Sequence, residues 1–447
     1  MSAVAAPSPG RRWTAPREAR VRLVACAAAA ALLQMDGTIV TVALPSVGHE
    51  LSVNSHTLAL ILVAYFFAYG LMLFPGGRLV DRVGSRKVAL VGLAVFAAGA
   101  LVGALAGSFG VLVASRVVQG VGAGLVSPAS LAGAVSGFPP ERRGAALGLW
   151  GASSGIANLI GPLIGGLLTV AIDWRACWWF LVPAAAAVAW AISRFVPGEL
   201  HADERPATEG LRQRIIGAAA LVAGLTFVVM IGTFFLAQQY LQTAVGYSAL
   251  GAAAALTAVA VLVGVGAPLA GRLSDLYGER LTAMVGFAAA GAGLLVLGIP
   301  GVPLHGIAAL PLLLPFGIGI GLLFVPASRA ALNAVPQGRH GRVSSLLSVS
   351  RLLGAAAGSG LAGLAVTGGV TSGNVHLALL LGGATCLGVG IPVATELSPK
   401  SGEIPSQPGG TPLELTGAGR AAAEAPTPRR GGGGFEESPD TIGQGGR

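Results

Sequence analysis

Two charged side chains stand where charge is costly. Asp36 lies inside the apolar run 21–45, and Arg116 lies inside the apolar run 109–136. A charge at the centre of a membrane span costs about 2.5–3.5 kcal/mol on insertion scales, so it persists against a cavity or a partner. Asp36 is the one acidic residue inside any apolar run of the chain. It stands nine residues from the outer end of its run, and Arg116 stands about seven from the outer start of its own. At 1.5 Å per residue the two depths agree to within about 3 Å. The expected chemistry is proton exchange. Asp36 and Arg116 couple electrostatically, and protonating the carboxyl frees the guanidinium. Gln119 follows Arg116 by three residues and shares its helix face.

Other polar groups at membrane depth are candidates for substrate contact. They are Gln119, Gln238, Gln239, Gln242 and Arg351. Gln238, Gln239, Tyr240 and Gln242 crowd five positions and cannot all share one face. Arg351 either faces a cavity or snorkels toward the inner surface. A third charged feature is the stretch GRLVDRVGSRK at 77–87, with a second copy, GRLSDLYGER, beginning at Gly271. The copies share Gly77/Gly271, Arg78/Arg272, Leu79/Leu273, Asp81/Asp275, Gly84/Gly278 and Arg86/Arg280. Gly77 and Gly84 suit a tight turn. Asp81, among Arg78, Arg82, Arg86 and Lys87, can pair with basic residues or a helix N-terminus and so clasp a gate.

These residues are positioned by apolar spans. The 447-residue chain is 53% hydrophobic and 11% charged, where a soluble domain carries about 25% charged residues. The reading is an all-α polytopic membrane protein. The net charge of +9 fits the basic inner loops of such a protein, so no nucleic acid partner is expected. Twelve runs are long enough to span: 21–45, 58–77, 88–107, 109–136, 145–172 and 177–196, then 215–241, 249–270, 281–299, 307–325, 343–366 and 375–394. The organisation expected is a disordered tail at 1–21, a six-helix bundle at 22–196 and a linker at 197–212. A second six-helix bundle at 213–395 and a disordered tail at 396–447 complete it. The repeated charged loop makes the second half a copy of the first.

Of the 28 basic residues, Arg175 alone falls on the outer side when both termini are cytoplasmic, and Arg116 and Arg351 fall within spans. Asp173, Trp174 and Arg175, with Trp178 and Trp179, mark an outer loop whose aromatics read as interface anchors. Cys26, Cys177 and Cys386 lack metal or disulfide spacing, and no metal site is expected. No Gly-Lys-Ser/Thr phosphate loop is present, so ATP is not expected as the energy source and no cofactor is expected. No span holds a catalytic cluster, and the chain is not expected to be an enzyme.

The pattern at 77–87 resembles the loop between the second and third helices of the major facilitator superfamily. The run Met35–Pro45 resembles the first-helix motif of its drug:proton antiporter branch, with Thr41 where the family usually has Asn. Arg116, Gln119 and Gly120 resemble the fourth-helix motif associated with proton transfer. Gly161, Pro162, Gly165 and Gly166 resemble the antiporter motif of exporters. The stretch 233–247 resembles the opening helix of the second bundle in the same branch. The resemblance covers about residues 22–395, as a twelve-span relative of a branch that commonly has fourteen.

The resemblance implies two six-helix bundles, alternating access and a mostly monomeric protein of the plasma membrane. The function expected is export of small, mostly lipophilic compounds in exchange for protons. A dedicated exporter of one metabolite, and a non-transporting sensor or scaffold, stand as alternatives.

Overall fold

The computed structural model describes residues 17–136, 138, 143–197, 213–306, 310–335 and 340–397. The expected linker, beyond its first residue, and the expected C-terminal tail, beyond its first two, lie outside these, as do residues 1–16. Among the described residues there are twelve helices and no strand. They are α1 (Arg17–Glu50), α2 (Ser55–Val83), α3 (Ser85–Ala104), α4 (Phe109–Val135), α5 (Arg143–Ala171) and α6 (Arg175–Phe195). The second half supplies α7 (Gln213–Ala244), α8 (Ala249–Tyr277), α9 (Glu279–Gly298), α10 (Leu310–Asn333), α11 (His340–Ala365) and α12 (Ser372–Thr395). Helices are what an apolar chain must form in lipid, where every backbone donor and acceptor has to be paired within its own segment. Eleven of them are apolar and long enough to cross a bilayer, and α5, at 29 residues, has the length as well.

The helices pack as one pattern repeated. In the first half α1 packs on α5, α2 and α3 on α4, and α3 on α6. In the second, α7 packs on α11, α8 and α9 on α10, and α9 on α12. Glycines set the crossings. A Cβ at Gly120 or Gly124 would strike the backbone of α2, and one at Gly122 would lie 2.5 Å from the Phe96 nitrogen of α3. Gly317, Gly319 and Gly321 hold α10 against α8 and α9 in the same register. Small residues let helices approach closely without a hydrophobic drive between them.

The halves meet reciprocally, α2 on α11 and α5 on α8. Gly363 of α11 lies against Ala59 and the His56 carbonyl of α2, and Gly166 of α5 against Ala249, Leu250 and Ala253 of α8. Val42 of α1 packs with Ala249 and Ala253. These contacts lie toward the end of the bundle remote from the chain termini.

Two expectations need correction. The charged stretch at 77–87 is not a loop that turns at Gly77, because α2 stays helical through Gly77, Arg78, Asp81 and Arg82 to Val83. The reversal is one residue, Gly84, at φ 93°, which only glycine adopts without strain. Gly278, at φ 88°, does the same between α8 and α9. Gly77 has open space where a Cβ would stand and makes no turn. The aromatics near Arg175 are also not all interface anchors. Trp174 and Trp178 are buried, and their rings meet edge to face at 5.6 Å. Trp174 Nε1 donates to Glu50 Oε2 at 2.7 Å, which fixes the turn before α6 to the end of α1. Only Trp179 of the three is exposed.

Candidate functional site

The helical register of α1 turns Asp36 inward, toward α4. Its carboxylate meets Arg116, whose Nη1 donates to Asp36 Oδ1 at 2.7 Å and Oδ2 at 3.0 Å. The same Nη1 lies 2.8 Å from Gln119 Oε1, and Gln119 Nε2 reaches Asp36 Oδ1 at 3.4 Å. All three side chains have no solvent exposure. So Asp36, Arg116 and Gln119 form one closed polar triangle, and Gln119 belongs to the ion pair rather than to a separate surface.

Tyr65 of α2, absent from the sequence reading, completes the setting. The guanidinium carbon of Arg116 stands 4.1 Å from the centre of its ring, and its hydroxyl donates to the Leu33 carbonyl at 2.9 Å. A cation over a buried ring gains about 2 kcal/mol or more when desolvated. Arg116 Nε and Nη2 have no hydrogen-bond partner among the described residues. The pair is therefore held by one nitrogen, an aromatic face and an amide, an arrangement that loses its ionic bond when the carboxyl takes a proton. Tyr65 carries no visible signal in sequence, being one more aromatic in an apolar helix.

The exporter-type motif on α5 abuts this site. A Cβ at Gly161 would strike Thr38 and the Met35 carbonyl, and one at Gly165 would lie 2.5 Å from the Ile39 carbonyl. The two glycines seat α5 on the turns of α1 that carry Asp36. Gly166 instead seats α5 on α8, and the helix runs on through Pro162.

The glutamines of α7 collect elsewhere, beside a π turn at Tyr240–Ala244. Gln238 and Gln239 are buried, and Gln242 Nε2 bonds both Gln238 Oε1 at 2.8 Å and the Val42 carbonyl of α1 at 3.0 Å. Both amide atoms of Gln239 lack hydrogen-bond partners among the described residues. Arg351 of α11 donates from Nη2 to Ser328 Oγ of α10 at 2.7 Å and joins neither cluster.

The two copies of the charged stretch differ. Asp81 and Arg82 are exposed, with Arg86 half-buried, and Asp81 makes no ion pair among the described residues. In the second copy Arg329 of α10 holds Asp275 at 2.6 Å and the buried Glu279 at 3.5 Å. Asn333 Nδ2 adds a bond to Glu279 at 3.4 Å. Arg329 was not singled out in sequence because it lies 54 positions from its partner.

Comparison with known proteins agrees with this architecture. The chain is 29% identical to a puromycin resistance protein of Streptomyces alboniger, over 81% of this chain and 83% of that one. It is 26% identical to a multidrug resistance protein of Mycobacterium tuberculosis, over 74% and 73%. Its fold matches a bacterial homolog of the human lysosomal transporter Spinster, in an inward-facing and occupied conformation. That match has a TM-score of 0.66 and 17% identity, over 84% of this chain and 93% of that one. The family model described as the Major Facilitator Superfamily matches residues 26–359, and with twelve helices packed as two copies of one pattern, this chain belongs to that superfamily of membrane transporters.

Proposed function

We propose that the chain exports small, mostly lipophilic compounds, drugs or antibiotics, in exchange for protons. The two units that move are six-helix bundles, residues 22–196 and 213–395, set in the plasma membrane with both termini cytoplasmic. The observation that carries this reading is the fully buried Asp36–Arg116 pair with Gln119 bonded to both. An ion pair enclosed in low dielectric is strongly destabilised when one partner is neutralised, by about 3–5 kcal/mol. Protonation of Asp36 therefore supplies a change large enough to shift a two-state equilibrium.

The cycle follows from that change. With Asp36 charged, Arg116 is held on α1. With Asp36 protonated, Arg116 Nη1 is released and α1 and α4 are free to re-register. Glycine contacts carry the shift, since Gly161 and Gly165 pass it from α1 to α5 and Gly166 from α5 to α8. The joined ends remote from the termini and the unclasped Asp81 fit a state open toward the termini. The resistance functions named for the relatives favour drugs as cargo.

The test is transport by purified protein in proteoliposomes, using puromycin and several lipophilic dyes, with and without a pH gradient. Accumulation driven by the gradient, at least several-fold over the gradient-free control, is expected. Equal transport with and without the gradient would contradict proton exchange.

A further inference from the structure

The proton-exchange reading leaves Arg351 without a task. It stands eleven residues from the start of α11 at His340, about 16 Å along the axis, too deep for its side chain to reach the helix end. The stripe that continues from it, Ala355, Ser359, Ala362 and Val366, is buried. Leu364, on the opposite side of the helix, is exposed as a lipid face would be. Arg351 thus points into the protein, yet it is only half-buried, as are Ser348 and Ser344 on the same stripe toward the terminal end. It lines an internal space.

That space holds an uncompensated cation. No carboxylate among the described residues lies within ion-pair distance of Arg351, whose one bond is to the neutral Ser328 hydroxyl. Arg116 is neutralised by Asp36, so within the described membrane interior Arg351 is the positive charge left over. Beside it is an aromatic wall. Ser328 Oγ bonds the Phe324 carbonyl one turn away, and the half-buried rings of Phe324 and Phe227 stand 5.7 Å apart.

We propose that Arg351 and Ser328 form a subsite for the acidic group of an organic anion whose aromatic body packs against Phe227 and Phe324. The inference rests on the exporter reading and narrows its cargo. A guanidinium offers a planar fork that matches a carboxylate, and the Ser328 hydroxyl, accepting from Nη2 and donating to the Phe324 carbonyl, holds that fork in place. An arginine without a carboxylate partner at this depth is stabilised when an anion arrives, which makes the subsite selective for charge as well as shape. The rings supply edge or stacking contacts to an aromatic skeleton.

The test uses two dyes built on one xanthene body, anionic fluorescein and cationic rhodamine 6G. Their affinities for the purified full-length protein are measured by fluorescence anisotropy in mildly alkaline buffer. The wild-type protein binds fluorescein more tightly. Arg351→Gln weakens fluorescein by roughly tenfold or more and rhodamine 6G by less than about threefold, as loss of a charge-assisted bond requires. Ser328→Ala acts in the same direction by a smaller factor, and Arg351→Lys retains part of the preference. Equal wild-type affinities, or equal weakening of both dyes by Arg351→Gln or Ser328→Ala, would overturn the proposal. Binding is read without a pH gradient, so failure of gradient-driven transport would strike the exporter reading and leave this result standing.

Discussion

The two halves share a backbone plan and divide its chemistry. Where α1 carries Asp36, the matching register position of α7 is Leu225. Where α4 carries Arg116, that of α10 is Leu313. These follow from the glycine contacts, with Gly161 and Gly165 seated as Gly354 and Gly358 are, and Gly120 as Gly317 is. The charged pair at membrane depth thus belongs to the first half alone. At the chain-terminal end the asymmetry reverses. Asp275 is clasped by Arg329, whereas Ala132 stands at the position matching Arg329 and Asp81 makes no ion pair among the described residues. One half carries the buried charged pair, and the other carries the Arg329 clasp at its chain-terminal end together with the glutamines and Arg351. Packing between helices constrains backbone approach at specific turns, so both copies keep their glycines. Side chains facing the space between halves are free of that constraint and diverge.

The first way to break the comparison targets what the halves share. Gly122→Val and Gly319→Val each drive a side chain into a neighbouring backbone, at the Phe96 nitrogen and the Ala290 nitrogen respectively. Overpacking of this kind costs about 3 kcal/mol or more where backbone must move. Both variants should lose the monodisperse peak in size-exclusion chromatography to a similar degree. A large difference between them would mean the repeat is not energetically equivalent.

The second targets what they do not share. Arg116→Leu leaves Asp36 buried and unpaired, which costs about 3–5 kcal/mol. The double variant Asp36→Leu/Arg116→Leu places in the first half the residues found at the matching positions of the second. It should recover most of that stability in thermal unfolding and show no gradient-driven transport. Full transport by the double variant would remove the pair from the mechanism.

The smallest effect concerns the clasp. Arg329→Ala releases Asp275, which is largely exposed, and Glu279, which is buried, so about 1 kcal/mol is expected. Ala132→Arg offers Asp81 the partner that Asp275 has. It should raise the midpoint of thermal unfolding slightly and slow transport if the first copy must open and close. No change in rate would separate the copies from gating.

Much of this was legible in sequence because membrane chains have few ways to place charge. The run lengths led to the twelve helices, and the lone acid in lipid led to Asp36, with Arg116 at matching depth. What stayed hidden depended on contacts rather than composition. Arg78, Asp81 and Arg82 read as loop residues because charge usually marks a turn, yet the helix carries them on to Gly84. Trp174 is polar-tipped and lies near a loop, but its indole nitrogen is satisfied by Glu50 and the ring is buried. Tyr65 has no pattern of its own, since its role comes from a guanidinium on another helix.

The central claim is that Asp36 is the group that exchanges its proton for cargo. The most direct measurement is proton release when a transported compound is added to purified protein in weakly buffered detergent solution. The wild-type protein should release protons in step with binding, whereas Asp36→Asn should bind the compound and release none. Undiminished proton release from the Asp36→Asn protein would contradict the account.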